Sequence, residues 1–147
     1  MEIKRCFTKE GQSPYEGIAF RKTTSEIRNP DGSVVFRLED MDVPASWSQV
    51  ACDILAQKYF RKAGVPQKLK TVNEKGVPSW LRRRVADVEE GAEVVTQGES
   101  DARQVFDRLA GTWTYWAWKG NYFATEADAQ AFYDEMRYML ATQIAAP

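Results

Sequence analysis

The chain contains no histidine. Ser-His-Asp and Cys-His mechanisms, the commonest general base and most transition-metal sites are therefore excluded. Cysteine is nearly absent too: Cys6 and Cys52 make neither a disulfide framework nor a zinc site, and two unpatterned thiols suit a reducing compartment. Charge of either sign is not in excess. Twenty Lys and Arg stand against 21 Asp and Glu, for a net charge of −1, so nothing drives the chain globally toward nucleic acid or an anionic membrane. No apolar run is long enough for a signal peptide or a membrane span, and the expected location is cytoplasmic. Neither G-x-G-x-x-G nor G-K-[ST] occurs, which removes the common nucleotide-binding fingerprints.

What is present is ordinary in bulk and uneven in distribution. At 147 residues, 44% hydrophobic and 28% charged, the chain suits one folded domain. We expect a flexible N-terminus over 1–14 and a single domain over 15–147. Two β-prone runs joined by 29-NPDG-32 predict a hairpin over 18–38. The segment 46–63 reads as a helix: Ser46 and Gln49 match a capping box, Trp47, Val50, Ala51, Ile54 and Leu55 form an apolar stripe, and Gly64 and Pro66 close it. Further helices are expected over 79–87, over 100–110 with Ser100 as cap and Gly111 as stop, and over 125–145 with Thr125 as cap. The fold class expected is α+β, mainly α-helical with a short N-terminal β-hairpin.

Two features invite a functional reading. The run 82–84 is Arg82, Arg83 and Arg84, a weak candidate for a phosphate patch, since such runs are more often solvated or paired with nearby acids. The stretch 113-WTYWAWKGNYF-123 holds three of the five tryptophans. A core, a stacking platform and a docking face all fit it. Stacking on nucleic acid normally comes with a basic groove, and only Lys119 lies in the run. So many large rings are not left in water on a monomer, which makes burial the expectation, in this chain's core or under a partner. Acidic clusters such as Glu89 and Glu90 read as surface charge, and Cys52 as a small buried hydrophobe.

The blocks 23-TTSEIRNPDGSVVF-36, 46-SWSQVACDILAQKYFRKAGVP-66, 79-SWLRR-83, 102-ARQVFDRLAGTWTYWAWKGNYF-123 and 132-FYDEMRYMLATQIAAP-147 resemble, in order, the N-terminal region of vitamin B12-dependent (class II) ribonucleotide reductases. The resemblance covers nearly everything from about residue 14 onward. It implies a parent enzyme that makes deoxyribonucleotides, with adenosylcobalamin generating a thiyl radical inside a ten-stranded α/β barrel that this chain lacks. No catalytic residue carries over, because Cys6 and Cys52 match none of the barrel's redox cysteines. The implied role is a non-catalytic N-terminal domain packing on that barrel, with Trp113, Tyr115, Trp116, Trp118 and Tyr122 as the docking face. The expected partners are the remaining barrel polypeptide and, for the parent, a second copy of itself; neither membrane nor nucleic acid is expected. The cofactor belongs to the parent, and none is expected for this chain alone. The alternative is a free-standing nucleotide-binding or regulatory module derived from the same domain.

Overall fold

A computed structural model describes residues 1–146. The chain opens its regular structure with a long antiparallel hairpin, β1 (Phe20–Arg28) and β2 (Val34–Pro44). Its turn follows from 29-NPDG-32: the Gly32 amide donates to the Asn29 carbonyl at 2.9 Å, Gly32 sits at φ +86°, and Asp31 accepts from the Ser33 amide. The hairpin runs on past residue 38. Between the pairs Thr23–Met41 and Ser25–Leu38 the register shifts, with Asp40 at φ +53°, and this bulge re-aims the end of β2 so that Met41 and Val43 are fully buried.

The next helix differs from its expected form at both ends. α1 spans Gln49–Ile54, and its cap is Ser48, which accepts from the Ala51 amide. Ser46 lies in the turn closed by the Trp47 amide on the Pro44 carbonyl, and Gln49 donates to Thr24 and Asp53 instead of closing a capping box. The helix then widens into a π-helix, Leu55–Tyr59, ended by the Phe60 amide donating to the Leu55 carbonyl at 3.1 Å.

The expected helix over 79–87 is not formed. Pro78 leads into a single 3₁₀ turn, Ser79–Leu81, after which the chain is extended. There β5 (Arg84–Ala86) pairs antiparallel with β4 (Leu69–Thr71). The non-local ladder supplies backbone partners that a short, Arg-rich helix would have to find in one turn. β3 (Val65–Pro66) and β6 (Thr96–Gln97) form a third small pair. With 33% helix and 21% strand, the chain is mixed α+β and not mainly helical.

α2 (Ala102–Lys119) starts at Asp101, whose carboxylate accepts from the Arg103 amide while Gln104 completes a capping box. It runs straight through Gly111, the residue read as its stop, where a Cβ would lie 3.7 Å from the Tyr133 ring. α3 (Glu126–Ala141) starts at Thr125, paired reciprocally with Asp128, and packs antiparallel on α2. The core lies between β2, α1 with its π-turn, and the first half of α2, around Met41, Val43, Leu55, Phe60, Val105 and Phe106.

Of residues 1–14, expected to be flexible, Ile3 to Thr8 are laid along α3. The Ile3 amide donates to Asp128 at 2.8 Å, Arg5 pairs with Asp134 at 2.7 Å, and Phe7 stacks on Tyr138. Glu135 accepts from the Phe7 and Thr8 amides and the Thr8 hydroxyl. Burial works against the charged Glu135, but these hydrogen bonds together outweigh it and hold its carboxyl below the ordinary range.

Candidate docking site

The five aromatics proposed from sequence as one docking face are not on one face. At about 100° per residue, Trp113 and Trp116 fall within about 60° of each other on α2, as do Tyr115 and Trp118, and the two pairs are about 160° apart.

Tyr115 and Trp118 are committed within the chain. Tyr115 donates its hydroxyl to Glu74 at 2.5 Å, and the Trp118 indole donates to the Gly76 carbonyl at 2.8 Å. The Tyr115 hydrogen bond lowers the Glu74 carboxyl, and reciprocally the Tyr115 phenol is raised. Glu74 also pairs with Arg83 at 3.4 Å and Lys119 at 3.7 Å. One acid thus ties the loop before the 3₁₀ turn to the end of α2. Trp80 closes the same side, donating to Glu126 and stacking on Tyr133.

The arginine run is divided by the same contacts. Arg82 donates to the Val77 carbonyl, Arg83 is taken by Glu74, and Arg84 stands on β5. The three guanidiniums do not converge on one anion site.

Trp113 and Trp116 face the other way. Trp113 is half-buried against the core, and Trp116 is 64% exposed. Tyr122, 63% exposed, lies beyond the helix end over Gly120, where a Cβ would come within 2.7 Å of its ring; glycine is what lets it lie there. On the wheel, Val105, Phe106 and Leu109 share the face of Trp113 and Trp116 within about 100°. The first three of these, Val105, Phe106 and Leu109, form one wall of an open apolar cleft of about 210 Å³, and Trp113 and Trp116 follow on the same helix face beyond it.

The opposite wall comes from α1 and its π-turn: Ala51, Ile54, Leu55 and Tyr59. The helical stripe read from the sequence is real, yet only its inner half enters the core. Val50 is 68% exposed, and Ile54, which lines the cleft, is 51% exposed. Trp47 stands at its base, tied by its indole to the Ala141 carbonyl at 2.8 Å. Leu140, Gln143, Ala145 and Ala146 complete the lining. Apolar rims of this kind, continuous with a core, mark interaction surfaces.

The wall is held in place by a buried ion pair that sequence reading did not single out. Glu99 accepts from Arg108 Nε and Nη2, both at 3.0 Å, and from the Arg61 amide at 2.9 Å. Arg108 also donates to the Tyr59 carbonyl at 2.8 Å. The end of the π-turn, Tyr59 to Arg61, is thereby clasped to α2.

Chemically the cleft offers surface and no reagents. Among the described residues no group of three or more acidic or cysteine side chains could hold a metal ion. Among the described residues the buried side-chain atoms without partners are Ser25 Oγ and Arg137 Nε, and neither lines the cleft. Cys52 lies fully buried, its thiol pushed up by burial, which suits packing and not reaction. Among the described residues no helix is long and apolar enough to cross a membrane.

Fold and site together define a small mixed α+β unit with an open apolar cleft between α1 and α2. A family model described as class II vitamin B12-dependent ribonucleotide reductase matches residues 21–143. A vitamin B12-dependent ribonucleotide reductase of Agrobacterium fabrum is 67% identical over 151 residues, spanning 100% of this chain and 12% of that protein. One from Bradyrhizobium diazoefficiens is 62% identical with the same coverage. One from Streptomyces coelicolor is 29% identical over 98% of this chain. The chain belongs to the class II vitamin B12-dependent ribonucleotide reductase family, as the N-terminal region of such an enzyme. It spans 12% of the length of these relatives.

Proposed function

We propose that the chain is the non-catalytic N-terminal domain of an adenosylcobalamin-dependent ribonucleotide reductase and packs on that enzyme's catalytic barrel, where ribonucleotides become deoxyribonucleotides. The observation that carries this is the open apolar cleft between α1 and α2, lined by Ile54, Leu55, Tyr59, Phe106 and Leu109 and continuous with the core, with Trp116 left 64% exposed further along α2. Trp116 and Tyr122 give the barrel exposed aromatic anchors, the residue types that dominate interface energetics. Trp113 backs them from the same side. Tyr115 and Trp118 contribute from behind, by fixing the loop around Glu74.

The cofactor is bound by the rest of the enzyme. A cleft of about 210 Å³ is smaller than an ordinary small-molecule site and has no converging polar groups, so the residues present do not fit a corrinoid. The chain acts in the cytoplasm, as part of DNA precursor synthesis.

The test is reconstitution. The 147-residue chain is mixed with the separately produced remainder of the reductase, and association and cobalamin-dependent reduction are measured. Binding with restored or enhanced activity is expected. Absence of association, in a mixture where each part is folded, refutes the reading.

A further inference from the structure

The end of α3 is a built turn. Gln143 adopts φ +59°, a left-handed conformation that disfavours residues other than glycine and asparagine. Its amide donates to the Leu140 carbonyl at 3.2 Å, and the Ile144 amide reaches back to the Met139 carbonyl at 2.9 Å. These two bonds are a complete Schellman motif, which stops the helix and reverses the chain. A residue in a strained conformation persists only where its surroundings hold it, so the fold itself sets the direction in which the backbone leaves α3. Here the reversal turns residues 145 and 146 onto the cleft, where both alanines line its edge.

Two further observations converge on the same place. The cleft's walls present aliphatic and aromatic carbon, with Gln143 at the margin and the Trp47 indole already satisfied by Ala141. Its relatives carry the chain far beyond the matched region, since that region is 12% of their length.

From these we propose that the cleft between α1 and α2 is the seat of the polypeptide that directly succeeds Pro147 in the parent enzyme. An apolar side chain of that segment inserts between Ile54 and Leu109, and the backbone runs on past Trp113 toward Trp116. The occupant is an uncharged, extended stretch with one or more large apolar anchors. A polar or charged segment would lose hydration with nothing in the walls to replace it. The π-turn contributes by aiming Leu55 and Tyr59 into the seat. This inference rests on the proposed function in that it needs a continuing chain, and it narrows that reading to one segment and one groove.

The experiment is a cycle between chain extension and cleft mutation. The 147-residue chain is compared with a chain extended by about 25 of the parent's succeeding residues, enough to cross the length of α2 at the rise of an extended strand. Each is made with and without Ile54→Lys, and thermal midpoints are read. Ile54 is half exposed, so the substitution leaves the short chain's midpoint nearly unchanged. The extended chain is expected to melt roughly 4 °C or more above the short one, and Ile54→Lys to remove most of that gain. Ala51→Lys, at a half-buried position on the same wall of the cleft, repeats the cycle should Ile54→Lys not fold.

No gain on extension, or a gain indifferent to both substitutions, overturns the inference. If the separately produced remainder still binds the short chain in that case, the proposed function stands while the seat falls. If the remainder does not bind either, the proposed function falls with it. Sedimentation of the short chain is the last arm: a dimer abolished by Ile54→Lys and unaffected by the extension assigns the cleft to a second copy and also overturns the inference.

Discussion

The Glu99–Arg108 clasp decides whether the π-turn keeps its place, and its energetics follow from the contacts. Glu99→Ala removes the acceptor of the Arg61 amide and of two Arg108 donors. Breaking a buried pair from one side costs about 3–5 kcal/mol when the survivor stays dry. The Arg108 side chain is 24% exposed and keeps the Tyr59 carbonyl, so it recovers some hydration and the cost falls to about 3 kcal/mol. Arg108→Ala strands the partner that cannot rehydrate, since the Glu99 side chain is only 4% exposed; it should cost more, about 4 kcal/mol. With both removed, no charge is left unpaired. The double variant should therefore lose about 5 kcal/mol and not 7, a coupling of about 2 kcal/mol. Urea denaturation with an unchanged m-value measures all three. If Arg108→Ala leaves no folded baseline, Glu99→Gln with Arg108→Lys gives the same cycle at smaller cost. Additivity within about 0.5 kcal/mol, or a greater loss from Glu99→Ala than from Arg108→Ala, would refute the assignment of the clasp as a desolvated pair.

Two other outcomes concern the caps and the N-terminal strap. Thr125→Ala removes one half of the α3 capping box and should cost about 1 kcal/mol, a fall of roughly 2–4 °C in the thermal midpoint; no change would mean that Asp128 alone secures the helix start. The strap should release in acid. Glu135 is opposed by burial yet held below its ordinary value by the Thr8 and Phe7 hydrogen bonds, and Asp128 is lowered chiefly by the Ile3 amide. A carboxyl depressed by folding contributes stability above its unfolded value and gives it up as pH falls through its folded value. Protection of the Ile3, Phe7 and Thr8 amides against hydrogen exchange should thus be full above about pH 5 and decline below about pH 4, whereas constant protection down to about pH 2 would sink the idea.

Local signals carried the parts of the fold that local chemistry decides. The turn at 29-NPDG-32 was legible because Gly32 supplies the positive φ that the turn needs. Thr125 was legible because its partner Asp128 lies three residues on. Arg84–Ala86 was not, because its strand character depends on Leu69–Thr71, a pairing that no window around the arginines contains. The strap was hidden for the same reason. Arg5 to Thr8 look mobile until Asp134 and Glu135, acids that a helical pattern assigns to solvent, are found buried and facing them. Gly111 misled by type: glycine reads as a stop, but here it lies inside α2, facing Tyr133 of the neighbouring helix at ordinary contact distance.

The aromatic stretch shows where composition stops and geometry begins. Counting rings gave one docking face of five residues, on the sound premise that so many cannot stay in water. Once the stretch is known to be helix, spacing alone divides it: positions three apart share a side, and 113 and 116 lie opposite 115 and 118. Nothing in the sequence shows which side is already occupied. That is settled by Glu74 and Gly76, about forty residues upstream, which take the polar tips of Tyr115 and Trp118 and leave Trp116 outward. The same logic governs α1, where one apolar stripe serves the core with Leu55 and the cleft with Ile54. A period identifies an apolar face, but whether that face is core or interface depends on how far the rest of the chain reaches over it. In this chain the α1 wall from Ala51 to Tyr59 and the facing Val105, Phe106 and Leu109 keep an open side, and Ile54 stays half exposed along it.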